Sequence, residues 1–228
     1  EQGVRRPGVR TAGIAGERIE DLERRSLCDH RLPALADEPP GDLAVLAVGH
    51  RHAQDERLFL DANPYVDWTD AGMRDWVRRD LAASKATWKF VSSYMPPFHS
   101  SRMYPQGEKM RVLADLFEQA GVDLVFSGYA HSYQRTYPLR FTLDATFQGP
   151  ARDPGQTVPG SWKLDKQFDG KEHTRPDGPI YLVTGCGGNP QLHSPEQTDK
   201  PETWQPFTVK YHASLHQFTQ LDINDRTL

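Results

Sequence analysis

The alternation of apolar runs with helix-period patterns between Leu58 and Ser127 constrains this chain more than any other feature. Leu58 to Asp61 is a short apolar run stopped by Asp61-Ala62-Asn63-Pro64, a turn sequence. Asp70 then offers an N-cap to a segment in which Met73, Trp76, Val77 and Leu81 recur at 3.6-residue spacing, which predicts a helix over 71–84. The run Trp88 to Ser92 follows and ends before Pro96-Pro97. A second amphipathic stretch, 109–120, carries Met110, Leu113, Leu116, Phe117 and Ala120, closes at Gly121 and leads into the apolar run Val122 to Ser127. Strand, helix, strand, helix, strand is the order of an α/β fold, a layered sheet flanked by helices.

The flanking regions complete a coarse plan. Residues 1–40 are rich in Arg, Glu, Gly and Pro, with only a short helical pattern at Ile19 to Arg25, and read as an irregular segment before a domain at 41–228. Leu43 to Val48 reads as a further buried strand. Residues 145–178 hold Gly and Pro with little apolar period and are expected to form a long surface excursion over the site. Pro179 to Thr184 is again strand-like and runs into Gly185-Cys186-Gly187-Gly188. Phe218 to Ile223 alternates in the manner of a terminal strand.

Composition removes several function classes. The 228 residues are 37% hydrophobic and 25% charged, with a net charge of −4. A pI near 6.1 gives no electrostatic footprint for nucleic acid, and no apolar run approaches the roughly 20 residues that span a bilayer. Arg5, Arg6 and Arg10 are followed by no apolar stretch, so no signal peptide is expected within the sequence as it stands. Cys28 and Cys186 cannot form a cysteine cluster for a metal, and one pair does not fix the compartment. Oligomeric state is left open.

The chemistry gathers where the strand Leu124 to Ser127 ends, in Gly128-Tyr129-Ala130-His131-Ser132-Tyr133-Gln134-Arg135. This stretch resembles the last metal-binding motif of the calcineurin-like metallophosphoesterases, in their purple acid phosphatase branch, where Gly-His-x-His precedes Tyr-x-Arg. Gly128, His131, Tyr133 and Arg135 match, and Tyr129 stands where the first histidine is expected. Leu60 to Tyr65, Trp88 to Val91, Pro96-Pro97-Phe98 and Ile180 to Gly185 with Gly187-Gly188 follow the order of the C-terminal half of that catalytic domain. The metallophosphoesterase-like domain is thus expected to be incomplete at its N-terminal side. In relatives a histidine just before the proline pair binds the second metal, and Tyr94 occupies that position here.

The resemblance implies hydrolysis of phosphomonoesters at two metal ions (Fe, Zn or Mn) held about 3.5–4 Å apart, and a secreted or periplasmic setting. It assigns His131, Tyr94 and Tyr129 to the metal, and His99 and Arg135 to catalysis. Arg102-Met103-Tyr104 lies where relatives carry further histidines. The Asp, Gly-Asp-x-x-Tyr and Gly-Asn-His motifs of the first half have no counterparts, since Gly41-Asp42 lacks its tyrosine and Gly188-Asn189 is followed by proline. A phenol titrates near 10 and binds divalent zinc or manganese poorly at neutral pH, although ferric iron accepts tyrosinate. An impaired phosphatase is therefore expected, with a non-catalytic binding module or a truncated catalytic domain as alternatives.

Each residue also has a plainer reading. His131 can be a loop histidine donating to a backbone carbonyl, and Tyr133 and Arg135 can brace the loop. Asp61 and Asn63 fit an Asx turn, and Gly185 to Gly188 fit a tightly packed turn better than an anion cradle. Gly49-His50-Arg51-His52 is a literal Gly-His-x-His, but it lacks Tyr-x-Arg and lies beside Arg51 and Arg57. It reads as an exposed polar loop.

Overall fold

The computed structural model describes residues 47–51, 55–103, 107–153, 155–223 and 228. The segment 1–40 with its Ile19 to Arg25 pattern, Gly41-Asp42, the start of the Leu43 to Val48 run, His52 and Tyr104 lie outside the described residues. Those described form a seven-stranded sheet in the order β1-β2-β3-β4-β8-β5-β9 and a separate two-stranded sheet, β6-β7. The strands are β1 (Ala47–Arg51), β2 (Asp55–Leu60), β3 (Trp88–Ser93), β4 (Leu124–Ser127), β5 (Tyr133–Thr136), β6 (Leu139–Leu143), β7 (Gly160–Leu164), β8 (Ile180–Thr184) and β9 (Thr208–His212). Pairing is parallel from β2 through β3 and β4 to β8, and antiparallel at β1-β2, β8-β5 and β5-β9. A mixed α/β architecture results.

Helix α1 (Ala71–Ala83) begins at Asp70, whose Oδ1 accepts the Met73 amide at 2.9 Å, and it buries Val77 and Leu81. The second predicted helix is only partly α-helical. Lys109–Leu113 winds as a 3₁₀ turn and α2 (Ala114–Gln119) completes it. The tighter winding accompanies the burial of two basic side chains: Lys109 donates from Nζ to Asn63 O at 2.7 Å, and Arg111 donates from Nε to Pro97 O at 2.7 Å.

Strand alternation divides the apolar residues between two faces. Leu58, Leu60, Val91, Val125 and Tyr181 meet α1, α2 and the β6 residues Leu139 and Phe141 in the main core. On the other face Phe90, Leu124 and Leu182 form a small cluster, with Trp88, Phe126, Tyr133, Ile180 and Ile223 packed against it. A groove of about 350 Å³ runs there between Phe59, Phe90, Phe126, Leu221 and Ile223. Among the described residues no helix is long and apolar enough to cross a membrane.

Three expectations need correction. Phe218 to Ile223 is not a strand: Leu221 and Ile223 lie over the groove, so the segment satisfies its apolar residues by covering a face without joining a ladder, and Phe218 is 73% exposed. The excursion 145–178 contains β7, which pairs with β6 and carries Trp162 onto Phe207 with ring centroids 5.3 Å apart. A Cβ at Gly160 would lie 2.3 Å from Phe141 Cζ, so this strand starts with a glycine because its partner sits too close for a side chain. Gly49, His50 and Arg51 belong to β1, not to a loop, because their backbone pairs with Leu58, Arg57 and Glu56.

Arg111 joins the layers. Its guanidinium lies over the Phe98 ring at 4.8 Å from the centroid and 5.8 Å from both Phe141 and Phe207, and it pairs with Glu108 at 2.7 Å. Burial lowers its pKa to about 10, and the Glu108 carboxylate opposes that fall, so the group stays charged. Substituting Arg111→Met is expected to cost about 3–5 kcal/mol in urea unfolding, because the largely buried Glu108 carboxylate would lose its partner. The double variant Arg111→Met/Glu108→Gln should recover part of that loss; a single variant as stable as the parent would show that the pair does not hold the layers.

Candidate active site

Strands β3, β4 and β8 run parallel and adjacent, so the loops leaving their C-terminal ends emerge along one edge, where open α/β sheets place ligands. Those loops carry Tyr94, then Gly128 to Ser132, then Gly185 to His193. The first two are tied directly. Gly128 N donates to Tyr94 O at 3.2 Å, and the Tyr94 and Tyr129 rings meet edge to face with centroids 5.2 Å apart. Tyr94 is 62% exposed. Tyr129 takes φ 25°, a left-handed value that a bulky residue seldom adopts and that costs on the order of 1–3 kcal/mol.

The third loop packs against the second. Gly185 N donates to Ser132 O at 3.2 Å, and a Cβ at Gly185 would stand 2.2 Å from Ala130 O and 2.6 Å from Gly128 O. This glycine is required by close backbone approach, in agreement with the packed-turn reading. Asp61 likewise makes the expected Asx turn, its Oδ1 accepting the Asn63 amide at 2.8 Å.

His131 is held on three sides. Its Nδ1 lies 2.8 Å from Gln191 O, its backbone amide donates to His193 Nδ1 at 3.0 Å, and the two imidazoles stack with centroids 3.8 Å apart at 21°. A carbonyl only accepts, so Nδ1 of His131 carries the proton and a neutral ring keeps its lone pair on Nε2. His193 is 4% exposed, and burial first, then the neighbouring His131, lowers its pKa. Sequence reasoning missed His193 and Gln191. They follow a Gly-Gly-Asn-Pro turn, and nothing in their own spacing marks a return to the motif.

The loop after Pro96-Pro97 is fastened by buried polar side chains. Ser100 N donates to Gln134 Oε1 at 2.6 Å, Gln134 Nε2 donates to Ser132 Oγ at 2.9 Å, and Gln197 Nε2 donates to Ser100 O at 3.0 Å. This chain of bonds brings the His99 loop beside the His131 loop. His99 itself is turned inward at 7% exposure. Burial first, and then the Arg111 charge, lower its pKa to about 4, so it is neutral at physiological pH. Arg135 is exposed on β5, on the opposite side of the strand from Gln134 and Thr136, and its β9 partner is Lys210. Tyr94, Tyr129 and His131 are brought to one edge, while His99 points into the protein and Arg135 away from the polar network.

A pair of bridged metal ions requires carboxylate and imidazole donors converging on one point. Among the described residues no three His, Cys, Asp or Glu side chains gather closely enough to hold a metal ion. Among the described residues the same edge offers two phenols packed edge to face, and His131 itself meets a second imidazole whose Nδ1 already accepts an amide. This set does not fit a dinuclear centre.

Two measurements probe this edge. Unfolded His99 binds a proton near pH 6.5 and the folded residue only near 4, so stability is expected to fall by up to about 3 kcal/mol as pH drops through that window. His99→Gln should flatten the slope; an unchanged pH profile would show that the folded ring is solvated. Gly185→Ala should lower the melting temperature and shift the His131 amide resonance, since Ala130 O must move; an unperturbed spectrum would contradict the close approach.

No family model matches the chain. Among curated proteins, purple acid phosphatase 15 of Arabidopsis thaliana is 29% identical over 150 residues, covering 63% of this chain and 22% of its own length. The phosphoenolpyruvate phosphatase of Allium cepa is 25% identical over 173 residues, 72% of this chain and 30% of that protein. Acid phosphatase type 7 of Mus musculus is 31% identical over 105 residues, 46% and 19% respectively. The chain thus spans between 19% and 30% of the length of these relatives. A purple acid phosphatase from yellow lupin (Lupinus luteus) seeds superimposes with a TM-score of 0.50 at 14% identity, over 78% of this chain and 28% of that one, a likeness of fold.

Proposed function

The chain is purple acid phosphatase-like, with a metallophosphoesterase fold, and from that premise we propose that it is a hydrolase scaffold for small phosphate esters whose catalytic site is impaired. The observation that carries this reading is the direct seating of the Tyr94 loop on the Gly128 to His131 loop at the C-terminal edge of β3 and β4. These are the two motif positions that resemble metal-binding loops, and both have tyrosine in place of histidine. His131 is the imidazole proposed to meet the phosphate ester, through Nε2. The inward His99 and the outward Arg135 have no direct contact with it in this reading. When bound in relatives, the metal pair would supply Lewis acidity and an activated water; among the described residues the donors do not fit it.

Loss of two imidazoles and of converging carboxylates removes charge that stabilises the transition state, where one preorganised donor is worth about 100-fold or more. The chain is therefore expected to hydrolyse an aryl phosphate poorly, with or without added iron, zinc or manganese. Robust turnover abolished by His131→Ala would overturn the impairment. Converting Tyr94→His and Tyr129→His together is expected to raise metal affinity only modestly, since three imidazoles without bridging carboxylates make at best a mononuclear site. Two tightly bound metal equivalents with turnover in that double variant would show instead that a complete ligand set exists. That among the described residues no three potential metal ligands gather favours one second reading, a non-catalytic module that binds phosphate esters. Tight binding of an aryl phosphonate without turnover of the matching ester would select it.

A further inference from the structure

We propose that His193 is a positioning residue that, together with Gln191, fixes His131 in the tautomer whose lone pair is on Nε2. Three atoms of His193 are engaged. Its Nδ1 accepts the His131 amide at 3.0 Å, its own amide donates to His131 O at 3.0 Å, and its carbonyl accepts the Tyr211 hydroxyl at 2.7 Å. The stacked rings add a fourth contact. His193 thus clamps residues 191–193 onto the motif loop, and that clamp brings Gln191 O within 2.8 Å of His131 Nδ1. Neutral imidazole in water populates both tautomers, whereas a carbonyl at Nδ1 selects one. An outer partner that orients a reactive imidazole raises its basicity and sets which nitrogen meets a ligand. Tyr211 extends the clamp into β9, so the orientation of His131 depends on a strand nearly 80 residues downstream in sequence.

The inference rests on His131 as the imidazole of the proposed phosphate-ester site, and its test reads the ring and not turnover. Failure of one therefore leaves the other standing. In nitrogen-15 NMR of the full chain near neutral pH, His131 is expected to show a protonated Nδ1 and an unprotonated Nε2. In His193→Leu the two tautomers should mix, and the His131 amide should exchange about tenfold faster, the effect of losing one hydrogen bond. His193→Asn, whose Oδ1 can accept the same amide, should restore both properties. Nε2-protonated His131 in the parent chain would overturn the proposal, as would a His193→Leu variant with tautomer and exchange unchanged. Should His193→Leu fail to fold, Tyr211→Phe, which removes the hydroxyl that holds the His193 carbonyl, is expected to loosen the clamp and mix the His131 tautomers in its place, and an unchanged tautomer and amide exchange there would overturn the proposal.

Discussion

The buried charge of Arg111 sets the terms for the rest of the molecule. A guanidinium taken out of water needs a counter-charge, acceptors for its donors and polarisable surroundings. Glu108, the carbonyl of Pro97 and the faces of Phe98, Phe141 and Phe207 supply them. These groups come from the loop after β3, the β6 strand and the segment before β9. The small sheet and the proline loop are therefore docked to the 3₁₀ turn by one residue. Burial first, and then the same charge, keep the adjacent His99 neutral.

Once that loop is anchored, the edge of β3, β4 and β8 is assembled by polar side chains and backbone groups that satisfy one another, the Ser100, Gln134 and Gln197 set in the buried interior and the His131 to Gln191 contact at the surface. Ser100, Gln134 and Gln197 satisfy one another's amides and carbonyls, and His131, His193 and Gln191 do the same one loop further on. Close backbone contact at Gly185 leaves these loops little freedom to slide. Tyr129 and Ser194, the neighbours in sequence of this pair of histidine loops, both hold left-handed backbone. The fold is like that of a purple acid phosphatase, and among the described residues no three His, Cys, Asp or Glu side chains gather closely enough to hold a metal ion.

How legible each part was depends on whether its signal is local. Helix α1 could be read from its cap and its 3.6-residue period, and β3 and β4 from apolar runs bounded by turn residues. Asp61 to Asn63 formed the turn its composition suggests. By contrast β5 and β9 carry Gln134, Arg135 and Lys210 amid few apolar residues; β5 is a strand because β8 offers an antiparallel edge, and β9 because β5 in turn offers one. The β7 strand was hidden in a glycine- and proline-rich stretch because its partner β6 supplies the order. Phe218 to Ile223 misled for the opposite reason, since its apolar residues cover a face without a ladder.

The sequence by itself determined the α/β order, the two amphipathic segments and the motif at Gly128 to Arg135, because short-range periodicity, capping and turn chemistry are properties of neighbouring residues. The tertiary structure alone decided that Tyr94 meets Tyr129, that His99 turns inward against a buried arginine, and that His193 returns to stack on His131. Those outcomes depend on which distant backbone groups compete for the same donors and acceptors, and that competition exists only once the sheet has brought its loops to one edge.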